Sequence, residues 1–145
     1  MAGFDQIVGV LKAAGETTRL RLLALLADGE LSVKDITDIV GQSQPRVSRH
    51  LKLLADAGLV SRNAEGAWAY YRLAESGELG DVARWLAGHV DAADPLLKKD
   101  RQALENVRLA HEATAAAYFA GVAETWDRLR SLHVPETAVE QAILE

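Results

Sequence analysis

The sequence predicts a mainly α fold that carries a small β-hairpin and ends in a long helix. Three observations predict it. Apolar residues recur at helical spacing from Phe4 to Leu54, in segments separated by Gly15, Asp28-Gly29 and Gly41. Trp68, Tyr70 and Arg72 alternate with Ala67, Ala69, Tyr71 and Leu73, the period of a half-buried strand. From Leu96 to about residue 132 nothing interrupts a helical pattern except Gly121, which costs only about 1 kcal/mol in a helix.

Residues 4–14 place Phe4, Ile7, Val8 and Leu11 on one helical face, and Gly15 stops that helix. Thr17 or Thr18 caps the second helix. Leu20, Leu22, Leu23, Leu25 and Leu26 form its wide apolar face, with Arg19 and Arg21 on its polar side. Ser32 opens a third helix, with Asp35 three residues on as a short capping box, and Gly41 ends it. A very short connection follows. Ser43 is a good N-cap, and Pro45 is tolerated in a first turn, whose amides have no intrahelical partner. The fourth helix spans about 44–57. Val47, Leu51 and Leu54 face the core, Arg49 lies opposite, and Arg46 and Lys52 flank it. Gly58 ends this helix. Leu59–Arg62 and Ala67–Leu73 then read as two strands around a turn at residues 63–66, an isolated hairpin that must pack on the helices to persist.

Residues 77–90 suggest a fifth helix. Asp94-Pro95 starts the long helix, and a helix of this length needs a partner helix to cover it, from a second copy or a following domain. Pro135 breaks it, and Glu136–Ile143 begins another short helix. The organisation expected is one domain over 1–92 and, over 93–145, a helix for dimerisation or connection to a further domain.

The chain has 145 residues, a formal net charge of −5 and no cysteine. Disulfides, thiolate metal sites, iron–sulfur clusters and cysteine catalysis are thereby excluded. No run of 18 apolar residues occurs and no basic region precedes an apolar one at the N-terminus, so no membrane partner, no signal peptide and a cytoplasmic location are expected. The net charge hides segregation. Between Gln42 and Arg62, four cations (Arg46, Arg49, Lys52 and Arg62) face Asp56 alone. Between Ala74 and Leu97, five carboxylates face Arg84 alone.

A helix, a tight turn, a second helix with a basic outer face and then a hairpin is the layout of a winged helix-turn-helix. The second helix must be held by its apolar stripe while its start and outer face enter a major groove of double-stranded DNA. Gln44 can read adenine edges, and Arg46 and Arg49 can reach guanine or phosphate. Ser43 and Ser48 can bond phosphate, and Lys52, Arg62 and Arg72 suit backbone phosphates, the last two from the wing. No Ser/His/Asp set, carboxylate pair or glycine loop is arranged for catalysis, so no enzyme, catalytic residue or bound cofactor is expected.

The segments TRLRLLALL, QSQPRVSRHLKLLADAGLV and YYRL, in that order over about residues 10–73, resemble the ArsR-type repressors. The resemblance implies a homodimeric winged-helix repressor that binds a short inverted repeat and is released by a ligand or metal, with 43–52 as the recognition segment. Metal-sensing members carry Cys-x-Cys after a Glu-Leu in the third helix. Here the stretch is Glu30-Leu31-Ser32-Val33-Lys34, and His89, Asp91, Asp94 and His111-Glu112 lack the spacing of the other metal-binding members, so no metal site is expected. Residues 118–145 resemble the connector of fusions to a class I S-adenosylmethionine-dependent methyltransferase. That makes the regulator half of such a fusion the alternative reading, and S-adenosylmethionine or S-adenosylhomocysteine a candidate for an effector otherwise unknown. A protein-interaction module is the third reading.

Several residues carry blander expectations. His50 reads as a half-buried packing histidine with a local bond. Trp68, Tyr70 and Tyr71 read as packing aromatics, and Trp85 and Trp126 as dimer-core residues. His89, His111 and their acidic neighbours read as surface, and His133 as a helix C-terminal residue favouring the dipole.

Overall fold

The computed structural model describes residues 2–75 and 77–131, with side chains described as far as residue 122. The element order is α1 (Phe4–Ala14), α2 (Thr17–Leu26), β1 (Leu31–Ser32), α3 (Val33–Val40), α4 (Gln44–Asp56), β2 (Val60–Glu65), β3 (Trp68–Leu73), α5 (Gly77–Gly88) and α6 (Pro95–Ser131). This is a winged helix-turn-helix with a small antiparallel sheet and a long C-terminal helix. The chain divides into two units, Met1–Val107 and Arg108–Glu145. In the second unit the described side chains from 108 to 121 are all exposed, Tyr118 and Phe119 included. The side chains of Trp126 and Leu129, His133, the break at Pro135 and the helix expected at Glu136–Ile143 lie outside the described residues.

The core of the first unit follows the apolar stripes. Leu22, Leu23 and Leu25 of α2, Ile36 of α3, Val47, Leu51 and Leu54 of α4, and Leu59 are fully buried. Leu97 and Leu104 bring the start of α6 into the same unit. Helix stops work through backbone geometry: Gly41 adopts φ 70° at the end of α3 and bonds Thr37 O, a conformation that costs other residues strain. Gly58 (φ 83°) leaves α4, and a Cβ there would lie 2.5 Å from Leu79 Cδ1. Ser32 caps α3 by accepting from the Asp35 amide at 3.1 Å, and Asp94 accepts from the Leu96 and Leu97 amides at the start of α6.

Four expectations are corrected. The cap of α2 is Glu16, whose carboxylate accepts from the Arg19 amide at 3.0 Å; a longer acidic side chain does what Thr17 or Thr18 was expected to do. The hairpin is not isolated: β1 pairs with β3 (Leu31↔Tyr71, Ser32↔Tyr70), giving the order β1-β3-β2. Strand β2 runs on to Glu65, opposite Trp68, so the turn is only Gly66-Ala67. Gly66 at φ 59° supplies the left-handed start that a two-residue hairpin turn requires. The apolar stripe of α1 stands exposed, as the sequence left open: Phe4 is 93% exposed, and Ile7, Val8 and Leu11 are exposed too. Val10, Ala13 and Ala14 are buried instead, because small side chains let α1 approach closely. Trp68, expected to pack, stands exposed instead. Trp85 is exposed on the single chain, as a residue meeting a second copy would be, and stacks on His89 with ring centroids 4.0 Å apart.

Arg21, expected on a polar face, is clamped. Its Nε donates to Asp100 Oδ2 and its Nη2 to Asp100 Oδ1, both at 2.8 Å, and Asp100 is 1% exposed. The paired carboxylate raises the Arg21 pKa above its ordinary value, against burial, which lowers it. A buried pair gains little over apolar packing, but removing one partner strands a charge. Asp100→Ala is therefore expected to lose about 3–5 kcal/mol of unfolding free energy. Urea denaturation of the two proteins checks this; a loss below about 1 kcal/mol would mean Arg21 finds water readily.

Candidate nucleic-acid interface

The phase of α4 divides its polar residues between two flanks. Gln44, Ser48 and Lys52 recur every fourth residue, on the flank that faces the wing. With Lys34 and Thr37 of α3, and Arg62 and Trp68 of the hairpin, they line one concave groove of about 710 Å³. Three cations, Lys34, Lys52 and Arg62, meet a single carboxylate there, Asp38. Arg49 points opposite the buried stripe, and Arg46 lies beyond it on the second flank; both are exposed. Ser43 is the exposed N-cap of α4 and makes no side-chain bond to the helix. The groove therefore joins Gln44, Ser48, Lys52 and Arg62, with the remaining α4 cations on the adjoining outer surface.

Arg72 is not brought into the groove. Cross-strand partners share a face, so Arg62 sides with Tyr71, and Arg72 sides with Ser61 on the opposite face of the sheet. There Arg72 Nη1 lies 3.1 Å from Glu75 Oε1. The sequence reading missed Lys34, Thr37 and Trp68 as groove residues. The first two lie on the polar face of the third helix at i and i+3, a signal the sequence did contain. The exposure of Trp68, 52%, follows from its place opposite Glu65 beside the turn and had no sequence signal.

Two anchors position α4. At its start, Gln42 Nε2 donates to Thr18 Oγ1 at 3.1 Å, and Arg21 Nη2 donates to Val40 O at 3.4 Å, so the turn between α3 and α4 is tied to α2. Along the second flank, His50 Nδ1 lies 3.1 Å from Arg19 Nη1. Arginine has no acceptor, so His50 accepts there and carries its proton on Nε2. Arg19 also donates to the Ala13 and Lys12 carbonyls at the end of α1. His50 is thus half-buried as expected, but its bond reaches another helix rather than a local group. Burial pushes the His50 pKa down, the Glu16 carboxylate 3.9 Å away pulls it up, and the cations of Arg19, Arg46 and Arg49 push it down further; the net direction is down. At Glu16, burial pulls upward, but amide hydrogen bonds from Arg19 and Thr18 and the charges of His50 and Arg19 hold the carboxyl below its usual value.

Comparison with known proteins agrees with this layout. The model of the family described as bacterial regulatory protein, arsR family, matches residues 16–62. The arsenical resistance operon repressor of Escherichia coli is 37% identical over 87 residues, 59% of this chain and 70% of that protein. The chain belongs to the ArsR family. A second ArsR relative, the arsenic resistance transcriptional regulator ArsR1 of Pseudomonas putida, is 38% identical over 96 residues, covering 63% of this chain and 71% of that one. Among solved structures, the homodimeric winged helix-turn-helix DNA-binding domain of a possible ArsR-family regulator from Mycobacterium bovis superposes with a TM-score of 0.52. It is 41% identical and covers 57% of this chain and 73% of that one. Among the described residues of this ArsR chain, no group of three or more His, Asp or Glu side chains is placed to hold a metal ion, and no helix is long and apolar enough to cross a membrane.

A depressed histidine pKa fixes a sign. The folded protein binds fewer protons at His50 than the unfolded chain, so this contribution is complete above about pH 6.5 and is lost as pH falls below it through the folded pKa. The urea midpoint is expected to drop between about pH 7.5 and about pH 5.5. His50→Gln keeps an acceptor for Arg19 without a titrating group and should flatten the profile; an equal slope in both proteins would place the titration elsewhere.

Proposed function

We propose that this ArsR-family chain is a homodimeric transcriptional repressor that binds an inverted-repeat operator through α4 and the wing. The observation that carries this reading is the groove between α4 and the hairpin, cationic at Lys34, Lys52 and Arg62, with Gln44 in its lining. In this reading Gln44, Arg46 and Arg49 read base edges or adjacent phosphates, and Ser43, Ser48, Lys52 and Arg62 hold the backbone. Arg72 joins them by releasing Glu75, an exposed pair worth at most about 1 kcal/mol. Residues 1–92 bind DNA, and 93–145 dimerise or connect onward. The exposed stripe of Phe4, Val8 and Leu11 on α1, and Tyr118 and Phe119 on α6, give a second copy apolar surface to cover. The homodimeric state of the M. bovis domain supports the same assembly.

In this reading no residue of this chain holds a metal through a thiolate, since the chain has no cysteine. The alternative, the regulator half of a methyltransferase fusion, rests on the resemblance of residues 118–145. A downstream reading frame with the glycine-rich cofactor turn would support it, and a stop codon after Glu145 would remove it.

The test is fluorescence anisotropy on a duplex selected from a randomised library. Arg49→Ala is expected to weaken binding to that duplex by about 1–3 kcal/mol. If the dimer neutralises about 6–10 phosphates, affinity should fall by about 10³–10⁵ between about 50 and 200 mM salt. Unchanged affinity in the variant removes Arg49 from the reading role, and a flat salt profile contradicts phosphate contact.

A further inference from the structure

We propose that the cavity between α2 and the start of α6 is an effector site for a small uncharged ligand, about the size of benzene, with one hydrogen-bond acceptor. The regulatory consequence rests on the DNA-binding reading above; occupancy of the cavity does not. The cavity holds about 160 Å³ and lies wholly within the first unit. An apolar protein cavity of about 150 Å³ is large enough to take benzene. Leu20, Ala24, Val90 and Leu97 supply apolar lining, and Arg21, Asp100 and Asp94 supply the charged lining.

The lining chemistry selects the ligand. Two carboxylates outnumber one guanidinium, so an anion is disfavoured. A cation finds no free buried carboxylate: both Asp100 oxygens accept from Arg21, and Asp94, exposed, caps α6. The group left over is a donor. Arg21 spends Nε and Nη2 on Asp100 and Val40, and among the described residues its Nη1 has no hydrogen-bond partner. A neutral acceptor attached to an apolar body matches that donor and that wall.

The same guanidinium connects the cavity to the recognition turn. Arg21 Nη2 reaches Val40 O at 3.4 Å, the long limit of a hydrogen bond, at the last residue of α3. The other tether of that turn ends on Thr18, next to Thr17 of the cavity lining. A ligand that draws Arg21 towards its acceptor competes with the bond to Val40 and loosens the turn that aims α4. Ligand and operator then oppose each other through one side chain, and such couplings typically change affinity by about 5–150-fold.

The experiment is a fluorine NMR titration of the full chain with para-fluorobenzonitrile, fluorobenzene and para-fluorobenzoate, read together with the backbone amide signals of Gly41, Gln42 and Ser43. Expected are saturable binding of the nitrile, weaker binding of fluorobenzene, none of the benzoate, and amide shifts in proportion to nitrile occupancy. Ala24→Leu and Leu96→Trp fill the cavity from different walls and should each abolish saturation, so one variant suffices if the other fails to fold. Absence of saturation in the parent protein, binding that persists in a folded filled variant, or saturation that leaves the three amides unmoved would each overturn the proposal. At saturating nitrile, affinity for the selected duplex should fall at least about five-fold; unchanged affinity overturns the effector role. A protein that binds no duplex even without the nitrile counts against the DNA-binding reading and leaves the cavity result standing.

Discussion

Asp100, itself buried, holds Arg21 through two parallel hydrogen bonds, and the placement of α3, α4 and α6 is referred to that clamp. Such a pair is a poor source of net stability, because desolvating two charges costs about what their attraction returns. What it supplies is geometry. A bidentate guanidinium–carboxylate contact tolerates little rotation, so the first turns of α6 and the face of α2 are fixed together. The remaining reach of Arg21 to Val40 carries that alignment to the end of α3. Two residues earlier along α2, Arg19 makes a comparable joint between the last carbonyls of α1 and His50 of α4. One short helix thus gives its leucines to the core and its two arginines to the orientation of its neighbours.

Position matters more than charge alone in this interface. The chain is net negative, and its attraction for a polyanion has to come from local arrangement. The fully buried stripe of Val47, Leu51 and Leu54 sets the rotation of α4, and that rotation divides its polar residues into a groove-facing set and an outward set. The hairpin completes the groove only because β1, two residues long, anchors β3 to the helical body. An isolated hairpin of this size would be marginal in water.

The helices and their ends were legible in the sequence where local chemistry decides them. Gly15, Gly41, Ser32 and Asp94 act as expected, and so does the α4 stripe. Contacts between distant segments were not legible. Arg21 and Asp100 are 79 residues apart, and nothing in the periodicity of α2 distinguishes an arginine bound for solvent from one bound for a buried carboxylate. The cap at Glu16 was missed because a threonine is the more usual cap and the competing residues are adjacent. The α1 stripe was readable as a helix face, but helical spacing does not tell whether a face meets the core of its own chain or stands free. For the interface, the α4 residues could be listed from the sequence, whereas their partition into flanks, the opposite facing of Arg62 and Arg72, and the entry of Lys34 and Trp68 depend on strand register and helix packing.

The central claim is that two copies of this chain each place α4 in a major groove with the wing alongside. Hydroxyl-radical footprinting on the selected duplex tests it most directly. The account predicts two symmetric protected patches on one face of the duplex, with centres about one helical turn, about 10 base pairs, apart. A single patch, or uniform protection along the duplex, would contradict it.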